Sequence, residues 1–248
     1  MGFFCIVFAV GLVSGTFGAI IGSSLLVIVP ALVLLGLPAP VALGTGKVSA
    51  LARDIPALLV FHRSGKVRYG AGLLFTVAGA LGTVIGAFMA LSIDAATLEL
   101  LIGIFTVGTG AVLLLRPEVG QTSRQPIRSP RTAAAASVAL GLPAGIYAGI
   151  FGGGANLLII FAFIFILGHD FLTAVATSKI PNLVFMVTFT GIFAYYDQID
   201  YWTAVPLVLG MGIGGHYGAK LAVLGGNRFL RFLFVALAAV LAVRMALG

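Results

Sequence analysis

Ala148-Gly149-Ile150-Phe151-Gly152-Gly153-Gly154-Ala155-Asn156 sits in the middle of residues 133–167, a run without a single charge. As one straight helix that run would be about 50 Å long at 1.5 Å per residue, against about 30 Å of hydrocarbon in a bilayer. Three consecutive glycines are where it should break, because glycine costs about 1 kcal/mol relative to alanine inside a helix. The stretch therefore predicts two short helices meeting at a bend within the membrane. Irregular backbone at that depth persists only where protein buries it or a wet cavity solvates it. The helix starting near Asn156 would turn free N–H groups and a positive dipole end toward that cavity, which suits an anion.

The rest of the chain agrees with a membrane setting. Of 248 residues, 60% are hydrophobic and 8% charged, and the mean hydropathy is +1.18. Soluble domains carry about 25% charged residues, so this is an all-α polytopic membrane protein, expected in the cytoplasmic membrane of the cell. The net charge of +7 does not indicate nucleic acid. The basic residues sit mostly in short connections between apolar runs, which is the positive-inside distribution rather than a binding stripe. Cys5 is the single cysteine, so neither a disulfide framework nor a cysteine metal site is available. Met1-Gly2-Phe3-Phe4 has no basic n-region and no evident small-residue cleavage site, and is expected to stay in the mature fold.

Apolar runs fall at roughly 2–35, 39–61, 69–92, 96–115, 133–167, 171–196, 201–224 and 229–247. The polar segment from Arg116 to Arg131 separates two halves, giving a first transmembrane repeat at 1–115, a basic cytoplasmic linker at 116–132 and a second repeat at 133–248. The halves resemble each other. Gly11 and Gly15 correspond to Gly141 and Gly145 at an offset of 130, which sets Gly22-Ser23-Ser24 opposite Gly152-Gly153-Gly154. Thr45-Gly46-Lys47 then matches Thr177-Ser178-Lys179 at an offset of 132, as do Tyr69 and Tyr201, Gly82 and Gly214, and Gly86 and Gly218.

Matching loops carry opposite charge. His62-Arg63-Ser64-Gly65-Lys66-Val67-Arg68 is basic, and its counterpart Asp197-Gln198-Ile199-Asp200 is acidic; Asp94 and Glu99 face Arg228 and Arg231. Because Lys and Arg loops stay cytoplasmic, the halves should be inverted, which requires an odd number of crossings in each. The expected fold is two inverted-topology repeats, each a broken or re-entrant Gly-rich helix pair plus three transmembrane helices, with the substrate at their interface. Eight plain spans with parallel halves are the alternative, and would leave Asp197 and Asp200 inside. Small-xxx-small rows at Gly18/Gly22, Gly82/Gly86, Gly141/Gly145/Gly149 and Gly210/Gly214/Gly218 read first as close helix packing. Tyr69, Tyr195, Tyr196, Tyr201 and Trp202 sit at run ends, as in an aromatic belt.

Lys47 and Lys179 lie about 12 Å into their runs if helical. A charge near the bilayer centre costs at least about 2.5–3.5 kcal/mol, so each needs a partner or a wet cavity; the plainer reading is a snorkelling or structurally paired lysine. Thr45, Thr177 and Ser178 add hydroxyls on the same turns. Pro181 would free the Thr177 carbonyl, and Asn182 supplies another polar side chain. Arg53 and Asp54 are either a proton or ion handle or mutually compensating charges, their counterparts Phe185 and Met186 being apolar. His216 and Lys220 face either the cavity or a membrane surface. The three histidines, His62, His169 and His216, form no ligand pattern, so neither a metal nor any other cofactor is implied. No strand or Gly-Lys-Ser/Thr accompanies Gly152-Gly153-Gly154, so it is no phosphate loop. No catalytic constellation appears either.

The pattern resembles the sulfite exporter TauE/SafE family, also called the 4-toluene sulfonate uptake permease family, over nearly the whole chain. The resemblance is carried by Gly15, Gly18 and Gly22, by Pro30 and Leu35-Gly36-Leu37, by Ala42 to Gly46, and by the hairpin ending Gly65-Lys66-Val67. In the second half it continues through Gly149, Gly152-Gly153-Gly154, Ala176-Thr177-Ser178-Lys179 and the Gly210 to Gly218 row. It implies a secondary transporter, not an enzyme, for a small sulfur-containing anion of the sulfite, sulfonate or sulfoacetate type. The residues place that anion near the midplane against Lys47 and Lys179, with Thr45, Thr177, Ser178, Ser23, Ser24, Gly152, Gly153, Gly154, Asn156 and Asn182 around it. Asp54, Arg53 and His216 are the coupling candidates. The candidate partners are the anion, the lipid bilayer, protons as coupling ion and a second copy in a homodimer; nucleic acid is not one. Rival readings are an anion channel or passive pore, a membrane-embedded enzyme or assembly factor, and a cation carrier. The last is disfavoured because Asp54 is the one carboxylate placed deep in the membrane.

Overall fold

The computed structural model describes residues 2–21, 24–69, 73–89, 130–150 and 155–247. The apolar run at 96–115, most of the basic linker, Gly22-Ser23 and Gly152-Gly153-Gly154 lie outside the described residues. Every regular element among the described residues is an α-helix: α1 (Gly2–Ile21), α2 (Leu25–Leu34), α3 (Ala39–Arg63), α4 (Leu73–Met89), α5 (Pro130–Ile150), α6 (Ala155–Leu167), α7 (Phe171–Tyr195) and α8 (Tyr201–Leu247). Three of them, α1, α7 and the Tyr201–Leu230 part of α8, are long and apolar enough to cross a membrane. Helix α3 has 25 residues, but Lys47, Arg53 and Asp54 interrupt its apolar surface.

Local sequence explains where the helices stop. The Gly65 N–H returns to the His62 carbonyl and the Lys66 N–H to Phe61, closing α3 with a left-handed residue at φ 66. Asp197 closes α7 in the same way at φ 52, with its N–H on Ala194 and that of Gln198 on Phe193. All four pairs of positions keep the offset of 132. Asp170 starts α7, its Oδ1 accepting the Thr173 N–H at 2.9 Å. Helix α8 kinks at Gly226 (φ 63, ψ −164), backbone territory open essentially to glycine alone; this falls between the sequence runs ending at 224 and resuming at 229.

Glycine rows bring the helices together. A Cβ built on Gly11 would meet Leu207 backbone, and one on Gly15 would meet Met211. From the other side, Gly214 abuts Leu12 and Thr16, and Gly218 abuts Thr16. The numbers rise together, so α1 and the first part of α8 run parallel. Helices α4 and α5 repeat the interface: Gly141 lies on Phe75, Gly145 on Gly79, Gly82 on Leu142 and Ile146, and Gly86 on Ile146.

The middle of the molecule is different. Gly44 lies against Gln198 and Phe193, Lys47 against Phe189, and Asp54 against Lys179 and Asn182. Numbers rise on α3 as they fall on α7, so these two corresponding helices are antiparallel. Gly18 and Gly215 both abut Arg53, which aligns α1 and α8 with α3. Helix α2 runs back: Ser24 bonds Arg53, while Leu25, Ile28 and Val29 surround Gly46. The chain thus reverses between α1 and α2 and returns to the end it came from.

Side chains are distributed as lipid requires. Val13, Phe17, Leu81, Val187, Leu209 and Ile213 are exposed, whereas Lys47, Arg53, Asp54, Lys179, Asn156 and Asn182 are buried. Arg63, Lys66, Arg68, Arg131 and Arg228 gather at one end of the bundle, where Asn227 also accepts the Leu172 N–H. Asp197 and Asp200 occupy the opposite end.

Gly145 tests the close packing. Its added Cβ would lie 1.9 Å from the Gly79 carbonyl oxygen, whereas nothing stands within 4 Å of one on Gly191. Gly145→Ala should therefore lower stability by about 1–3 kcal/mol through overpacking, while Gly191→Ala should leave it unchanged or slightly raised. Thermal unfolding of the two variants in detergent reads the difference.

Candidate functional site

The polar centre lies where α3 and α7 cross. Asp54 is fully buried and its two oxygens are saturated with donors. Arg53 forks onto it, Nε donating to Oδ1 and Nη2 to Oδ2, both at 2.7 Å. Lys179 Nζ donates to Oδ1 at 3.2 Å, and Asn182 Nδ2 donates to Oδ2. The remaining Arg53 nitrogen, Nη1, donates to Ser24 Oγ at 2.5 Å, reaching the residue that precedes α2. One carboxylate thereby joins both long central helices, and through Arg53 it joins the start of α2 as well.

Lys47 is the counterpart of Lys179 but has no carboxylate among the described residues. Its Nζ donates to the Ala148 carbonyl at 2.5 Å and lies 3.7 Å from the centroid of the Phe189 ring. Ala148 is in the last turn of α5, where carbonyls lack intrahelical partners and the dipole is negative. A helix end and an aromatic face offset part of a buried ammonium's desolvation, but neither carries a full negative charge. In their ordinary ionised forms, Lys47, Arg53, Lys179 and Asp54 set three cations against one anion. Asn156, in the first turn of α6, is buried with both amide atoms unpartnered among the described residues. A buried polar group in that condition costs about 1–3 kcal/mol.

The hydroxyl candidates are engaged otherwise. Thr177 Oγ1 accepts the Arg68 N–H at 3.2 Å, and Thr45 Oγ1 accepts the Asp200 N–H at 3.0 Å. These two bonds are counterparts at the offset of 132, each tying a loop of one half to a helix of the other. Ser178 Oγ donates to the Val175 carbonyl within its own helix. Beside the Arg68 loop, burial pushes the His169 imidazole below its usual value; Asp170 opposes that shift and Arg68 adds to it. His216 stands apart, half-buried on α8 with its ring edge on Tyr217, and Lys220 is exposed over the same tyrosine. Gly152, Gly153, Gly154 and Ser23 lie outside the described residues.

The structure thus joins Arg53, Asp54, Lys179, Asn182 and Ser24 in one network, which sequence reading divides between substrate and coupling roles. It sets Lys47 against the C-terminal end of α5, whereas the sequence reading sets an anion against it. Phe189 and the Ala148 carbonyl are the partners that reasoning from sequence misses. One is a phenylalanine among 19 and the other is a backbone atom, so neither carries a compositional signal.

An all-helical bundle with an apolar exterior and a buried ionic centre is a multi-pass membrane protein. The sequence matches the family described as sulfite exporter TauE/SafE over residues 7–245, and the chain belongs to that family. Its relatives are named as membrane transporters. It is 27% identical over 240 residues to a probable membrane transporter protein of Haemophilus influenzae, covering 97% of this chain and 93% of the relative. Probable membrane transporter protein ORF9 of a Sinorhizobium species is 25% identical, covering 96% and 90%. Probable membrane transporter protein YfcA of Escherichia coli K12 is 26% identical, covering 97% and 88%. No solved structure matches the chain significantly.

Removing one partner of a buried ion pair costs about 3–5 kcal/mol because the other charge is left uncompensated. Asp54→Ala strips the counterion from both Arg53 and Lys179, whereas after Lys179→Met the carboxylate keeps Arg53. Thermal unfolding in detergent should therefore rank Asp54→Ala well below Lys179→Met; equal midpoints would contradict the arrangement.

Proposed function

We propose that the protein is a secondary transporter in the cytoplasmic membrane that moves a small sulfur-containing anion of the sulfite, sulfonate or sulfoacetate type by alternating access. The observation that carries this reading is the buried excess of positive charge. Among the described residues, three groups that are cationic in their ordinary ionised forms stand buried with one carboxylate; an uncompensated charge in hydrocarbon is expensive, and an anionic passenger is the natural complement. Lys47, with no carboxylate of its own among the described residues, is the group that would hold it. Asn156 and the N–H groups opening α6 would complete the donor set. Lys179 and Asn182 belong to the same charged centre, and Asp54 and Arg53 would link its rearrangement to opening and closing.

We further read the two halves as inverted-topology repeats, each with a re-entrant helix pair. Three features support this: corresponding helices α3 and α7 are antiparallel, the α1–α8 and α4–α5 interfaces use equivalent residues, and the chain reverses between α1 and α2. The clustering of arginines and lysines at one end and of Asp197 and Asp200 at the other fits a cytoplasmic face at the basic end. Rocking one repeat against the other would expose the centre to each side in turn.

Uptake of radiolabelled sulfite and sulfoacetate into proteoliposomes tests the transport reading. Loss of a hydrogen bond to a charged group costs about 1.5–3 kcal/mol, so Lys47→Met should weaken saturable uptake about ten- to hundredfold. Wild-type uptake by Lys47→Met would remove the assigned site, and unsaturable conductance without counterflow would make the protein a pore. Topology is read separately: in a Cys5→Ser background, an impermeant maleimide should label Ser64→Cys from the cytoplasm and Gln198→Cys from outside.

A further inference from the structure

The two related lysines stand in unlike surroundings. Around Lys179 the chain supplies Arg53, Asp54 and Asn182; the counterparts of these three positions in the other half are Phe185, Met186 and Ala50. Four N–H donors converge on the Asp54 carboxylate: the guanidinium fork of Arg53, the Lys179 ammonium and the Asn182 amide. A bidentate guanidinium with a second cation and an amide is the donor set expected of a receptor for a planar oxyanion. Here the oxyanion is covalently attached to the chain. All of these side chains are at most 2% exposed, so water does not compete for them.

We propose that Arg53, Lys179 and Asn182 form a second oxyanion receptor, which the protein occupies with its own Asp54 carboxylate as a tethered stand-in for an external anion. The consequence is stoichiometric. An anion entering from solution meets a Lys47 that has no carboxylate partner among the described residues and a Lys179 side already filled, so each chain takes one passenger although its lysines are paired. This stoichiometry rests on the transporter reading above; the receptor does not, since it follows from the donors around Asp54 alone. Removing the tethered carboxylate should leave a hole shaped and charged for a small carboxylate.

Formate is the probe for that hole. The full-length protein is melted in detergent with formate or with chloride at equal ionic strength, as wild type, Asp54→Ala and Asp54→Asn. Formate should raise the midpoint of Asp54→Ala by about 2–4 °C or more, the shift of a ligand that binds the native state. Wild type and Asp54→Asn should gain less, because in both the receptor is filled and the Lys47 site alone is open to formate. No formate-specific gain in Asp54→Ala, or an equal gain in all three, overturns the receptor. Should Asp54→Ala accumulate only in cells supplied with formate, that too supports the proposal.

A second measurement does not depend on that variant folding. Equilibrium binding of radiolabelled sulfite to wild type should give one site per chain, lost in Lys47→Met and kept in Lys179→Met. Two sites in wild type, or loss in Lys179→Met alone, overturns the occupied-receptor assignment. No sulfite binding in wild type would instead reject this anion for the Lys47 site, leaving the formate result to decide on the receptor.

Discussion

Everything in the interior is arranged around the cost of carrying charge through hydrocarbon. Lys47, Arg53, Asp54 and Lys179 sit on two helices that cross in the middle of the molecule, and lipid offers none of them a partner. Asp54 is the one buried acid among the described residues, and it pairs with both Arg53 and Lys179. Its position determines which helix faces can meet, because α3 and α7 must present Arg53, Asp54, Lys179 and Asn182 to each other. Burial of that network also explains the order of the polar loops. Arg68 and Asp200 each pin a threonine of the opposite half, so the ends of the crossing are held as well as its centre.

Glycine makes the crossing compact. Without a hydrophobic force between helices in lipid, association relies on van der Waals contact and on polar groups that find one another. The rows at Gly11/Gly15 and Gly141/Gly145, with their partners on α8 and α4, let backbones touch where any Cβ would collide. The outer helix pairs are thus closely packed on small residues, whereas the inner pair meets through charge.

The unequal environments of Lys47 and Lys179 give the pseudo-symmetric centre a direction. Repetition would by itself produce two equivalent cationic sites. Apolar residues at Phe185, Met186 and Ala50, opposite Arg53, Asp54 and Asn182, break that equivalence. Lys179 then has the Asp54 carboxylate of the opposite half beside it, while Lys47, among the described residues, meets a helix terminus and the Phe189 ring.

Much of the architecture was legible in the residues. Hydrophobic run lengths and the long uncharged stretch at 133–167 are local properties, and they announce a helical membrane bundle. The depth of Lys47 and Lys179 was readable for the same reason: position along a helix is counted in sequence. Which charge neutralises which was not. Asp54 reaches Lys179 across 125 residues and Lys47 reaches a backbone carbonyl across 101, and such pairings depend on how α3, α5 and α7 lie against one another. Residue identity determined that buried charges exist and how deep they lie; only the tertiary packing decided their partners, because at these sequence separations proximity is a property of the assembled helices and not of the chain.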